Sequence, residues 1–184
     1  MKQDLYCPEY FPDIPSKSKP IKRFINQTVL FILGRALQYL SKQDKAIQDE
    51  ISIWPDDLIL LMLILPQSGA MAVQRTPECQ LVYLGDMISE QHADIVISIK
   101  NVEAGFRMLT GQMGTDVAYA RHQIAVKGDI SLTVSITRVI NRVETYLFPA
   151  FLARKLMKRL PKIPFLKKQF LRLKTYFLGV PFGI

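Results

Sequence analysis

Residues 124–132 read Ile124-Ala-Val-Lys-Gly128-Asp129-Ile-Ser-Leu132, and three physical signals meet there. Gln123 to Lys127 has the short, partly apolar character of a strand. Gly128 punctuates that strand, and Asp129 offers a carboxylate to the free amides at the start of a following helix. Behind the cap, Leu132, Ile136, Val139, Ile140 and Val143 recur at helical spacing, so the helix carries one apolar stripe. The segment therefore places an amphipathic helix against a sheet.

Upstream, Ala93-Asp-Ile-Val-Ile-Ser-Ile99 alternates and is β-branched, which predicts another strand. Asn101 then stands as an N-cap three residues before Ala104, with Phe106, Leu109 and Met113 at helical spacing behind it. This short helix is expected to end at Gly111 or Gly114. Thr115 and Asp116 offer a cap for a second, over Val117 to Arg121. Further back, the apolar run Leu58 to Leu65 has the length of a buried strand, Pro66-Gln-Ser-Gly69 makes a turn, and Ala70 to Leu84 supplies one or two strands interrupted near Thr76-Pro77. Three or four antiparallel strands in succession are expected.

A polar stretch, 41–50, separates these strands from an amino-terminal helix. That helix starts with Pro20 in its first turn, and its apolar positions are Ile21, Phe24, Ile25, Thr28, Val29, Ile32, Ala36, Leu37 and Leu40. It is expected to pack against the domain or a membrane. Residues 1–19 hold three prolines, Pro8, Pro12 and Pro15, and read as an extended arm. They lack the basic-then-apolar order of a secretory signal, so export by that route is not expected.

The chain has 184 residues and a net charge of +8, and the charge is localised. All 16 acidic residues lie at or before Glu144, and nine basic residues follow Thr145 with no acid among them. The first 144 residues are close to neutral, so the positive field belongs to the carboxyl-terminal segment. An apolar fraction of 49% excludes a disordered chain, and no apolar run approaches the length of a transmembrane helix. Cys7 and Cys79 lack metal-ligand spacing and read as free thiols. His92 and His122 stand apart from any acid or cysteine cluster, and Gly105, Gly111 and Gly114 make no phosphate-binding pattern. Neither a catalytic set, a metal site nor a cofactor is expected.

The succession from Ala93 to Ile140 resembles the signature half of the sterol carrier protein type 2 (SCP2) family. The likeness lies in the order of alternating strand, short helix pair, strand ending in Gly128-Asp129 and final amphipathic helix; Leu109-Thr-Gly111 is similar to the end of the family's preceding helix. It covers roughly residues 50–145. The resemblance implies an α+β fold, with an SCP2-like mixed sheet of about five strands covered by helices that enclose an apolar tunnel. It also implies non-enzymatic binding of acyl chains, sterols or isoprenoid quinone precursors, since bacterial relatives include accessory factors for ubiquinone biosynthesis. The long amino-terminal helix and the basic carboxyl-terminal segment depart from the family pattern. Three regions result: an arm at 1–19, a lipid-binding domain with a leading helix at 20–145, and a basic amphipathic extension at 146–184.

A lipid pocket needs concave apolar walls, because each methylene moved out of water contributes about 0.8 kcal/mol. Phe106, Leu109, Met113, Ile136 and Ile140 are placed on the helical wall of such a pocket, with Leu60, Met62, Ile64 and Val73 on the sheet side. The competing reading of each is ordinary core. Asp129 reads as a structural cap.

In the extension, Phe151, Leu152, Leu156, Met157 and Leu160 alternate with Arg154, Lys155, Lys158 and Arg159. After Pro161-Lys162-Ile163-Pro164 the pattern repeats in Phe165, Leu166, Phe170, Leu171, Leu173, Tyr176 and Phe177, with Lys167, Lys168, Arg172 and Lys174 among them. Two short amphipathic helices are expected, set either in a lipid interface with bases at anionic headgroups or packed back on the domain. The apolar content disfavours nucleic acid as the partner. The expectation is a lipid carrier in the cytoplasm, peripheral to the inner face of the membrane, with lipid-modifying or quinone-biosynthesis enzymes as further partners. The alternative is a protein-interaction module whose apolar groove takes a partner helix.

Overall fold

The computed structural model describes residues 19–66, 68–148 and 165–182. Its centre is a five-stranded mixed sheet of β1 (Ile59–Ile64), β2 (Ala70–Arg75), β3 (Leu81–Gly85), β4 (Ile95–Ile99) and β5 (Ile124–Lys127), in the order β3-β2-β1-β4-β5. The central strand β1 is buried on both faces. Leu60, Met62 and Ile64 face the main core, whereas Leu61 joins Ala72 and Val96 in a smaller apolar cluster behind the sheet. Burial on both sides is why its sequence is a continuous apolar run rather than an alternating one.

The expected succession of antiparallel strands holds for β1–β2 and β2–β3 but fails at β4. That strand lies parallel to β1, with Leu60 opposite Ile95 and Ile64 opposite Ile99, and β5 then pairs antiparallel with β4. The cause is the connection 86–94. It contains a 3-10 turn at Glu90–His92 and carries the chain from edge strand β3 to the far side of β1, a crossover that a tight hairpin cannot make. The Asp94 carboxylate fixes the landing by accepting from the Ile59 amide at 2.8 Å.

Helices cover one face of the sheet. The first, α1 (Pro20–Gln43), buries a stripe through Asn26, Leu30, Leu33, Leu37 and Leu40, while Ile21 and Phe24 are exposed. Asn26 explains the rotation from the expected stripe. Its amide donates to the Val102 carbonyl at 3.1 Å and to Ser68 Oγ at 3.4 Å, so a polar residue occupies an interior position that apolar counting passes over. The polar stretch 41–50 is helical as well, because Asp44 caps a short α2 (Lys45–Ile51) whose Ile47 and Ile51 are wholly buried.

Two further short helices, α3 (Val102–Leu109) and α4 (Thr115–Ala120), lie between β4 and β5. Asn101 caps α3 as its sequence implied, accepting from Ala104 N at 2.8 Å. The helix stops at Leu109, before either glycine expected to end it, and Gly111 follows with a φ of 77°. Gly114 rather than Thr115 or Asp116 holds the N-cap position of α4.

Asp129 caps α5 (Ile130–Leu147), accepting from Ser131 N at 2.6 Å and Leu132 N at 3.1 Å. After the undescribed residues 149–164 come α6 (Phe165–Lys174), a π-helical turn at Thr175–Gly179 and α7 (Val180–Phe182). Leu171, Thr175 and Gly179 are buried along one side, Gly179 against Tyr39 of α1, and Tyr176 Oη donates to the Leu147 carbonyl at 2.7 Å. The second of the two expected carboxyl-terminal helices therefore docks on α1 and α5. The first, with the Pro161–Pro164 break, lies outside the described residues, as does nearly all of the expected amino-terminal arm.

Candidate functional site

The helix α5 packs on α1 and α2 and stands off from β4 and β5. Trp54 fixes its position near the start by donating from Nε1 to Ser135 Oγ at 2.8 Å. The space left between α5, the sheet and α3–α4 is a cavity of about 580 Å³, within the size range of small-molecule sites. Its floor is Met62 of β1, Ile97 and Ile99 of β4, and Ile124 and Val126 of β5. Met108, Leu109 and Met113 close one side. Apolar walls and flexible methionines suit a hydrophobic ligand of variable shape.

The α5 wall is mixed. Ile130, Val134 and Ile140 alternate with Thr133, Thr137, Asn141 and Glu144 along the same face. Over the fourteen residue steps from Ile130 to Glu144 the helix rises about 21 Å, enough to flank an extended chain. The Ile130 end is open: that side chain is 78% exposed, and its neighbours Val134 and Tyr119 are exposed too. At the other end Leu33 and Ile140 are buried, and protein surrounds the Glu144 carboxyl although part of the residue still lines the cavity. Burial there pushes its pKa up to about 7, because an ion without a partner is costly in apolar surroundings.

Of the nine residues expected to contact a lipid, Met62, Leu109, Met113 and Ile140 line this cavity. Leu60, Ile64, Val73 and Ile136 lie in the packed core instead, and the Phe106 ring sits beneath Lys22 Nζ at 4.9 Å. The difference arises because the open space lies over β4 and β5, whereas α1 packs on β2 and β3 and the core it closes takes in Leu60, Ile64 and Val73. The alternation of Ile95, Ile97 and Ile99 was a usable signal for the floor. Glu144, four residues after Ile140 and so on the same helical face, was the signal for the polar end.

Arg154, Lys155, Lys158, Arg159 and Lys162 lie outside the described residues, and only the helical backbone is described at Lys167 and Lys168. Arg172 and Lys174 are half-buried, with Lys174 Nζ 4.5 Å from the centre of the Phe170 ring. Phe170, Leu173 and Phe177 are each at least 60% exposed, so the docked helix presents an apolar face outward. Among the described residues no helix is long and apolar enough to cross a membrane, and no group of three or more His, Cys, Asp or Glu side chains is arranged to hold a metal ion.

The chain is similar in fold to solved structures of sterol carrier proteins. UbiJ-SCP2, a ubiquinone synthesis protein, shares 15% identity over 67% of this chain and 99% of its own, with a TM-score of 0.42. The apo form of sterol carrier protein 2 from Yarrowia lipolytica shares 14% identity over 60% of this chain and 86% of its own, with a TM-score of 0.42. Sterol carrier protein 2 like 2 from Aedes aegypti shares 14% identity over 55% of this chain and 95% of its own, at a TM-score of 0.32. No protein-family model and no curated protein sequence matches the chain.

Proposed function

We propose that this protein binds a hydrophobic lipid without chemical change and presents or transfers it at a membrane surface. The observation that carries the reading is the apolar-floored cavity of about 580 Å³, open beside Ile130 and buried beside Leu33. Removing an acyl or isoprenoid chain from water there contributes about 0.8 kcal/mol per methylene, and no directional chemistry is required.

The exposed Phe170, Leu173 and Phe177, on a helix that also carries Arg172 and Lys174, form the membrane contact. Aromatic side chains enter the interface while bases meet anionic headgroups, each base near the surface contributing about 1 kcal/mol. The basic segment 154–162 adds to that attraction. The working location is the cytoplasm at the inner face of the membrane, and the partners are enzymes that modify the bound lipid. The sequence resemblance makes an isoprenoid quinone precursor one such cargo.

Titration with a fluorescent neutral lipid, a pyrene-labelled long-chain alcohol, tests the binding step. Saturable uptake that unlabelled lipid reverses, and that Val126→Trp abolishes by filling the cavity, is expected. A wild-type protein that takes up no alcohol, sterol or quinone would overturn the lipid reading and favour a groove for a partner helix.

A further inference from the structure

The described residues that line the cavity include three charged side chains, and only Arg138 is a base. It is already engaged, with Nη1 at 3.3 Å from both carboxylate oxygens of Glu50, and its side chain is largely exposed. Asp116 stands near the exposed rim. Glu144 lies at the buried end, where no described side chain donates to its carboxyl and Asn141 precedes it by one helical turn on the same wall. A hydrophobic molecule that fills the cavity brings its polar end either to this lone acid or back to the open rim.

Resting on the lipid-binding reading, we infer that Glu144 makes the site selective for neutral lipids whose head carries an O–H or N–H donor, and against anionic lipids such as fatty acid carboxylates. Glu144 lines the cavity, so a ligand that fills it shuts the carboxylate off from water, and a hydroxyl head donates to it and offsets the cost of leaving that acceptor unpaired. An anionic head at the same place sets two like charges together in an apolar enclosure, with no free base among the described lining residues to offset them. Buried carboxylates persist where they gain a partner, and here the ligand supplies it.

Competition between dodecanol and dodecanoate for the pyrene-labelled alcohol, at about pH 8.5 where both carboxylates are ionised, tests the inference. The chains match in length, so the ratio of their displacing concentrations reports the head. We expect the wild-type protein to favour dodecanol by at least about tenfold, Glu144→Gln to shrink that ratio about tenfold through tighter dodecanoate binding, and Glu144→Lys to invert it. Equal displacement by the two ligands in the wild type, or a ratio that neither substitution moves, overturns the head selectivity and leaves lipid binding standing. Failure of both ligands to displace a bound probe, or failure of the probe itself to bind, also removes the head selectivity, whereas a protein that in addition takes up no sterol or quinone removes the lipid reading on which it rests.

Discussion

Arg142 Nε donates to Asp44 Oδ2 at 2.6 Å, tying α5 to the junction between α1 and α2. The same carboxylate accepts from Arg142 Nη2 at 3.1 Å and Tyr146 Oη at 2.8 Å, and it caps α2 through the Ala46 amide at 3.2 Å. Four donors thus converge on an acid that is only 1% exposed. The bond network helps hold α5 away from β4 and β5, so it supports the cavity from outside.

Asp44→Asn leaves Arg142 without its counter-ion and is expected to destabilise the fold by about 3 kcal/mol at neutral pH. Burial alone would raise the Asp44 pKa, but the hydrogen bonds from Arg142 and Tyr146 outweigh it and hold the carboxyl below its ordinary range. A depressed folded-state pKa contributes stability that is full above the ordinary carboxylate range and is lost as pH falls through the folded value. Urea unfolding across that acid range should show a weaker pH dependence in the variant than in the wild type. Identical slopes would contradict the assignment.

Glu144 has the opposite sign. Burial raises its carboxyl from 4.5 to about 7, so ionisation costs stability, beginning as pH rises past the unfolded value and reaching its full extent above the folded one. Glu144→Gln is expected to stabilise the lipid-free protein by on the order of 2 to 3 kcal/mol above pH 7 and to have little effect below about pH 4. Thermal unfolding of both proteins at the two extremes checks this.

Gly128 adopts a φ of +119° at the β5–α5 junction, and a Cβ there would meet the Asp94 carbonyl at 2.5 Å and Ile95 Cδ1 at 2.6 Å. Gly128→Ala therefore combines an unfavourable backbone region with a clash against β4. A loss of roughly 2 kcal/mol or more is expected by denaturant unfolding.

The exposed aromatic face makes a surface prediction. Replacing Phe170, Leu173 and Phe177 together by Ser should leave the unfolding midpoint nearly unchanged, since all three point outward. Flotation with anionic vesicles should fall sharply. Undiminished flotation would remove this helix from the membrane contact.

Local signals made much of the fold legible. Asn101 and Asp129 each cap the helix they precede, and the β-branched alternation before Ile99 is a strand. What local patterns do not carry is the crossover that sets β4 parallel to β1, because that register is decided by where the 86–94 connection lands. The buried stripe of α1 departs from its apolar spacing for a related reason: Asn26 is interior only because Val102 and Ser68 come to it from distant parts of the chain. For the same reason the candidate site was half legible. Leu109, Met113 and Ile140 could be placed from helical spacing, but the gap over Ile124 and Val126 exists only once α5 is held off the sheet.

The most direct test of the central claim is native mass spectrometry of gently purified full-length protein, followed by organic extraction and identification of the bound molecule. The account predicts one stoichiometric lipid per chain, lost in the cavity-filling Val126→Trp protein and carrying a neutral head. A reproducibly empty wild-type protein that also fails to take up added alcohols, sterols and quinones would contradict it.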